Sequence, residues 1–160
     1  MVQSESLEEL LSAITKGIAS IDSFLVEVAT DWNYNHPAMP PFDLADHRLN
    51  TEGRIDEWIP TITGSRLEKS GRNWQDYVTL RRRRNAWDQH DKDPCRTISL
   101  EELAEIGNLF GTGVAGVLFD LHALTQRRVP SKIVKFKYFP GFFVVTEQVR
   151  RPLLTPGGAR

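Results

Sequence analysis

The chain has 160 residues, enough for one domain with a core of its own. Hydrophobic residues make up 40% and charged residues 26%, as in an ordinary globular protein, and a net charge of −1 gives the molecule as a whole no pull on nucleic acid. Cys95 has no cysteine partner for a disulfide or a zinc site, the opening MVQSESLEEL lacks the apolar core of a secretory signal, and no apolar run reaches the ~18 residues of a membrane span, so the expectation is a cytoplasmic protein.

The first element predicted is a long helix. Leu7, Leu10, Leu11, Ile14, Ile18, Ile21, Leu25 and Val28 recur every three or four residues, with Ser6 and Glu9 at capping-box spacing and Glu8, Glu9, Lys16, Asp22 and Glu27 on the outer side. The three prolines of NYNHPAMPPF, residues 33–42, break it. A second helical pattern runs from about Leu44 to Ile62 through Leu49, Ile55, Trp58 and Ile59. Pro60 is expected to bend or end it, with Gly64 as the stop. A third helix starts near Asn73, buries Trp74, Tyr77, Val78 and Leu80, carries Arg81–Arg84, and breaks at Asp91–Thr97, where Pro94 disfavours helix in the residue before it.

Ser99 and Glu102 form a second capping-box signature and open a helix reaching about Gln126. Its buried face comprises Leu103, Ile106, Phe110, Val114, Val117, Leu118 and Leu121. Gly107, Gly111, Gly113 and Gly116 each cost about 1 kcal/mol relative to alanine in a helix, so their place there points to close packing, within the chain or between two copies. After Pro130, KIVKFKYFPGFFVVTE is rich in β-branched and aromatic residues around Pro140-Gly141, and reads as two extended segments about a turn, with Lys135 and Lys137 sharing a face. Such a hairpin is stable only against the helices or a partner. The fold class expected is mainly α: a bundle of four to five helices over residues 1–128, then an extended or β-hairpin segment over 129–160.

The string LRRRRNAWDQH, Leu80–His90, carries the chemistry. It resembles the hallmark of the HEPN superfamily, an arginine, usually followed by a polar residue, and a histidine four to six positions on. Arg84, Asn85 and His90 match it, with five residues between arginine and histidine. An apolar helix leads into the motif, the capped ISLEELAEI helix follows it, and the resemblance spans roughly residues 5–126. The chain departs from many relatives at Gln89 and Asp91, and Lys92 stands where another group has a tyrosine that is modified to silence a toxin. The resemblance implies a helical bundle, a homodimer in which both Arg84 and both His90 line one groove, and RNA cleavage in a toxin–antitoxin or phage-defence setting, with an antitoxin among the partners.

The residue types suit that chemistry on their own terms. RNA supplies its own nucleophile, the 2′-hydroxyl, so cleavage needs a base, an acid and a cation for the charge growing on phosphate. Histidine serves as base or acid near neutral pH, and arginine offers a planar fork to phosphate oxygens. Arg84 and His90 are therefore the candidate catalytic pair, with Asn85 orienting the substrate or the motif and Arg81, Arg82 and Arg83 making phosphate contacts; no metal or other cofactor is expected. Six residues of helix turn about 600° and rise about 9 Å, so one straight helix presents the pair on different faces. Three plainer readings compete: a surface network of Arg83, Asp88 and His90, a noncatalytic module that binds RNA, a nucleotide or a protein, and a structural subunit whose C-terminal hairpin docks on a partner. A metal site of Asp88, His90, Asp91 and Asp93 would need a loop wrapping an ion, and His36, His47 and His122 lack ligand spacing.

Overall fold

The computed structural model describes residues 4–90 and 99–138, and these are mainly helical. Helix α1 spans Ser4–Asn35, α2 Thr51–Thr63, α3 Arg72–His90, α4 Leu100–Leu109, α5 Gly116–Leu124 and α6 Ser131–Tyr138; a π turn, Phe110–Ala115, joins α4 to α5 without a break. No helix among the described residues is long and apolar enough to cross a membrane.

One core fills the space between α1, α2, α3 and the α4–π–α5 rod. Ile14, Ile21, Leu25 and Val28 of α1 meet Ile55, Trp58 and Ile59 of α2, Trp74, Tyr77 and Leu80 of α3, and Ile106, Val114, Val117 and Leu121 of the rod. These are the stripes expected from periodicity, except that Leu10, Leu11, Ile18, Val78, Leu103 and Phe110 are half-buried. Asp22 departs further: expected outside, it is half-buried and bonded to Thr51.

Helix ends follow local chemistry. Helix α1 is already formed at Ser4, so Ser6 lies inside it and is not the cap; serine three residues before a glutamate is a local pattern that a continuing backbone ladder overrides. The helix stops before Pro37, and the Asn33 carboxamide then clamps the returning loop, accepting from Phe42 N at 2.8 Å and donating to Phe42 O at 3.0 Å. That places the Phe42 ring 5.5 Å from Trp58. Residues 44–50 are turns, not the first part of a helix, because Asp43 and Asp46 accept from the backbone two residues on, at 3.0 and 2.9 Å. Asn50 caps α2, Pro60 sits within it, and Gly64 ends it at φ 73°, donating to Pro60 O.

The rod starts as expected, with Ser99 Oγ accepting from Glu102 N at 3.1 Å. Its π turn arises where glycines weaken the helix and the single Thr112 hydroxyl proton is shared between two acceptors, the Asn108 carbonyl at 2.8 Å and the Asp76 carboxylate at 2.6 Å. There the rod meets α3 at backbone distance: a Cβ on Gly113 would lie 2.7 Å from Tyr77 N, and one on Gly116 2.6 Å from Asn73 Cγ. Close packing within the chain is thus the role of those two glycines.

The segment after Pro130 corrects the expectation of an extended strand, since Ser131–Tyr138 is helix α6. Pro130 suits a helix start, its carbonyl accepting from Ile133 N and Val134 N. The helix lies against the π turn and α5, with Ile133 on the core. A β-branched run is ambiguous by pattern alone, and this contact decides it. The second half of the expected hairpin lies outside the described residues.

Candidate functional site

Successive residues on an α-helix stand ~100° apart, so four consecutive arginines point all round it. Three of them reach different neighbours. Arg81 lies over the Tyr77 ring and pairs with Glu52 of α2 at 3.6 Å. Arg83 pairs with Glu105 of α4 at 2.6 Å, and its guanidinium holds that carboxyl below the usual range. Arg84 donates from Nε to Thr15 Oγ1 of α1 at 3.4 Å and from Nη1 to Asn85 Oδ1 at 3.1 Å. Arg82 is exposed and has no ion pair among the described residues. The run is therefore not one basic patch: two of its members tie α3 to α2 and α4.

Arg84, Asn85 and His90 share α3, which stays helical through His90. The backbone does not unwind ahead of the histidine, so the ~600° separation of Arg84 and His90 holds within one chain. Arg84 is half-buried and Asn85 exposed. The side chains of Asp88 and His90, and with them the Arg83–Asp88–His90 network and the metal reading with Asp91 and Asp93, lie outside the described residues. Among the described residues no group of three or more His, Cys, Asp or Glu could hold a metal.

The remaining histidines are tied into packing or exposed. His36 stacks on Trp32, centroids 3.6 Å apart. His47 is on the surface. His122 is buried against Phe24 at 4.4 Å, and burial, then the Arg127 charge, lowers its pKa.

A second polar group joins α1, α2 and α3. Thr51 donates to Asp22 at 2.8 Å, Arg54 approaches Asp22 at 3.5 Å, and Lys69 bridges Glu52 and Asp56 at 3.1 and 2.7 Å. The Tyr77 hydroxyl is buried beside Thr51 and Arg81 without a well-formed hydrogen bond; burial pushes it up, and Arg81 opposes that. Sequence reasoning missed this network. Its one signal is Asp22, four residues after Ile18 and directly after Ile21, at the rim of the apolar stripe. Cations and carboxylates alternate here and pair, although the buried Arg54 Nε has no hydrogen-bond partner among the described residues, which fits a structural junction.

Sequence reasoning placed Lys135 and Lys137 on one face but did not single out Arg128 and Lys132 beside them. Arg128, Lys132 and Lys135 are exposed at the start of α6, and Arg128 and Lys135 line a cleft of about 650 Å³ with Val129, Pro130, Ser131 and Val134. No family model matches the chain, and no curated protein or solved structure matches it.

Proposed function

We propose that the chain is a metal-independent RNA endonuclease of the HEPN type, acting through Arg84 and His90 in a toxin–antitoxin or phage-defence setting. The observation that supports this most is the hold on Arg84. A half-buried guanidinium near the end of α3 contacts Thr15 of α1 and Asn85, about 1.7 turns before His90 on the same helix. That guanidinium stays charged and is of the type that matches phosphate oxygens.

In the proposed reaction one His90 takes the proton from a 2′-hydroxyl and that oxygen attacks the adjacent phosphorus. The bond to the 5′-oxygen breaks, and a second histidine returns a proton to the leaving oxygen. The products are a 2′,3′-cyclic phosphate and a 5′-hydroxyl. Arg84 offsets charge on the phosphate oxygens, Asn85 orients Arg84, and exposed Arg82 makes a nonspecific phosphate contact. Because one straight helix separates Arg84 from His90 in angle, the site needs two motifs facing each other across a two-fold homodimer.

A noncatalytic binding module is the second reading, favoured by one observation: Arg81 and Arg83 are committed to Glu52 and Glu105 and so are drawn away from an RNA surface. The test is incubation of a mixed RNA pool with the purified protein in excess EDTA, beside Arg84→Ala and His90→Ala. The nuclease reading expects cleavage that both variants lose while remaining folded. Folded wild-type protein that leaves the pool intact selects the binding module.

A further inference from the structure

The chain's charge is unevenly distributed. Residues 127–160 carry eight lysines and arginines and one acid, while residues 1–126 carry twelve and twenty, so the two segments stand at +7 and −8. Two cations of the described part of the basic segment are engaged. Arg127 pairs with Glu27 and Asp31 of α1, and Lys137 lies 4.0 Å from the Phe119 ring centre with Asp120 at 3.9 Å. Arg128, Lys132 and Lys135 are exposed and make no ion pair with any described residue. By contrast Arg54, Lys69, Arg81 and Arg83 each face a carboxylate of another element. Lys132 and Lys135, three apart, share one side of α6, and Arg128 and Lys135 border its cleft.

From this we infer that the start of α6, with Arg128, Lys132 and Lys135, is a docking surface for the phosphate backbone of a single-stranded nucleic acid. Charge complementarity carries the argument: like charges gathered without acids are relieved by a polyanion, and each phosphate neutralised releases a counterion. An anionic bilayer fits less well, because Ile133 of α6 is turned to the core and so is not offered to lipid. The preference for a single strand comes from Tyr138 at the far end of α6. It is 58% exposed, steadied edge-on by Phe119 at 6.3 Å, and presents a ring on which an unpaired base can stack. The inference uses no residue of the Arg84–His90 motif, so it stands or falls apart from the cleavage reading.

The test is fluorescence anisotropy of the full chain with a labelled 2′-O-methyl single strand of about 20 nucleotides, which spans several contacts and has no free 2′-hydroxyl for cleavage. Titrations across a salt series compare wild type, an Arg128→Gln/Lys132→Gln/Lys135→Gln variant, and a Lys16→Gln/Arg66→Gln control with cations removed elsewhere. The triple variant is expected to bind at least about tenfold more weakly and to flatten the log–log salt slope by about 2, at ~0.7 per lost contact, with little change in the control. The altered side chains are exposed, and each single glutamine variant, expected to lose ~0.7 of slope, gives the same reading without the combined change. Unchanged affinity and slope in the triple variant overturn the inference, as does an equal loss in the control. So does wild-type binding to phosphatidylserine vesicles but not to the strand, or a triple variant altered in self-association alone.

Discussion

Replacing Gly113 by alanine tests whether the rod crosses α3 at backbone distance. The new Cβ would lie 2.7 Å from Tyr77 N and 2.9 Å from both Asp76 C and Tyr77 Cα. Unstrained contacts between carbon atoms sit at ~3.5–4.0 Å, so α3 and the π turn must move apart by several tenths of an ångström. The opposing atoms are backbone and cannot rotate away. Overpacking of this kind costs about 1–3 kcal/mol, and rigid neighbours put this case at the upper end. Alanine returns about 1 kcal/mol of helix preference, which leaves a net loss of about 2 kcal/mol. For a chain of this size that lowers Tm by roughly 4–8 °C. The assay is thermal and urea unfolding followed by circular dichroism, beside Gly71→Ala. A Cβ on Gly71 would meet only Glu68 Cγ and O, both at 3.8 Å, so that variant is expected within about 0.5 kcal/mol of wild type. A Gly113→Ala protein that melts at or above the wild-type temperature refutes the close crossing.

Two further predictions concern other parts of the bundle. Burial, then Arg127, keeps the His122 imidazole below its usual 6.5, against a pull from Glu27 in the other direction. The unfolded chain therefore binds that proton more readily than the folded one, and stability falls as pH drops from about 6.5 toward the folded value. Urea midpoints measured between about pH 7 and pH 5 should decline less steeply in His122→Gln, and parallel slopes would remove His122 from the acid response. Asn33→Ala loses both bonds to the Phe42 backbone, with an expected cost of about 1–2 kcal/mol and faster proteolysis across residues 36–42. Unchanged proteolysis would show that the packing of Phe42 on Trp58 suffices to hold that loop.

Much of the fold was legible because it follows from local rules. The stripe of α1, the Gly64 stop, the start of α3 beside Asn73 and the Ser99 cap rest on periodicity, a left-handed residue and side-chain hydrogen bonds to backbone, each contained within a few residues. What was not legible depends on contacts far along the chain. The π turn forms where Gly113 meets Tyr77 and Thr112 meets Asp76, and no window of the rod's own sequence contains those partners. Lys132–Tyr138 alternates like a strand, yet becomes helix against the π turn and α5. Asp43 and Asp46 turn a segment whose spacing of Leu44 and Leu49 suggested helix.

The candidate site divides in the same way. That Arg81–Arg84 spread round a helix could be worked out from ~100° per residue, but their destinations, Glu52, Glu105 and Thr15, could not. The +7 of residues 127–160 was countable from the outset, and the net charge of −1 hid it.

The central proposal, attack on phosphate by the RNA's own 2′-hydroxyl at Arg84 and His90, is tested most directly by one substrate series. A defined single-stranded RNA, and copies carrying 2′-O-methyl at each position in turn, are incubated with wild-type protein in excess EDTA and the product ends identified. The account predicts that each cut disappears when the nucleotide on its 5′ side is methylated, and that the remaining cuts leave 2′,3′-cyclic phosphate and 5′-hydroxyl ends. Cuts that persist opposite a blocked 2′-oxygen, or that leave 5′-phosphates, would contradict it.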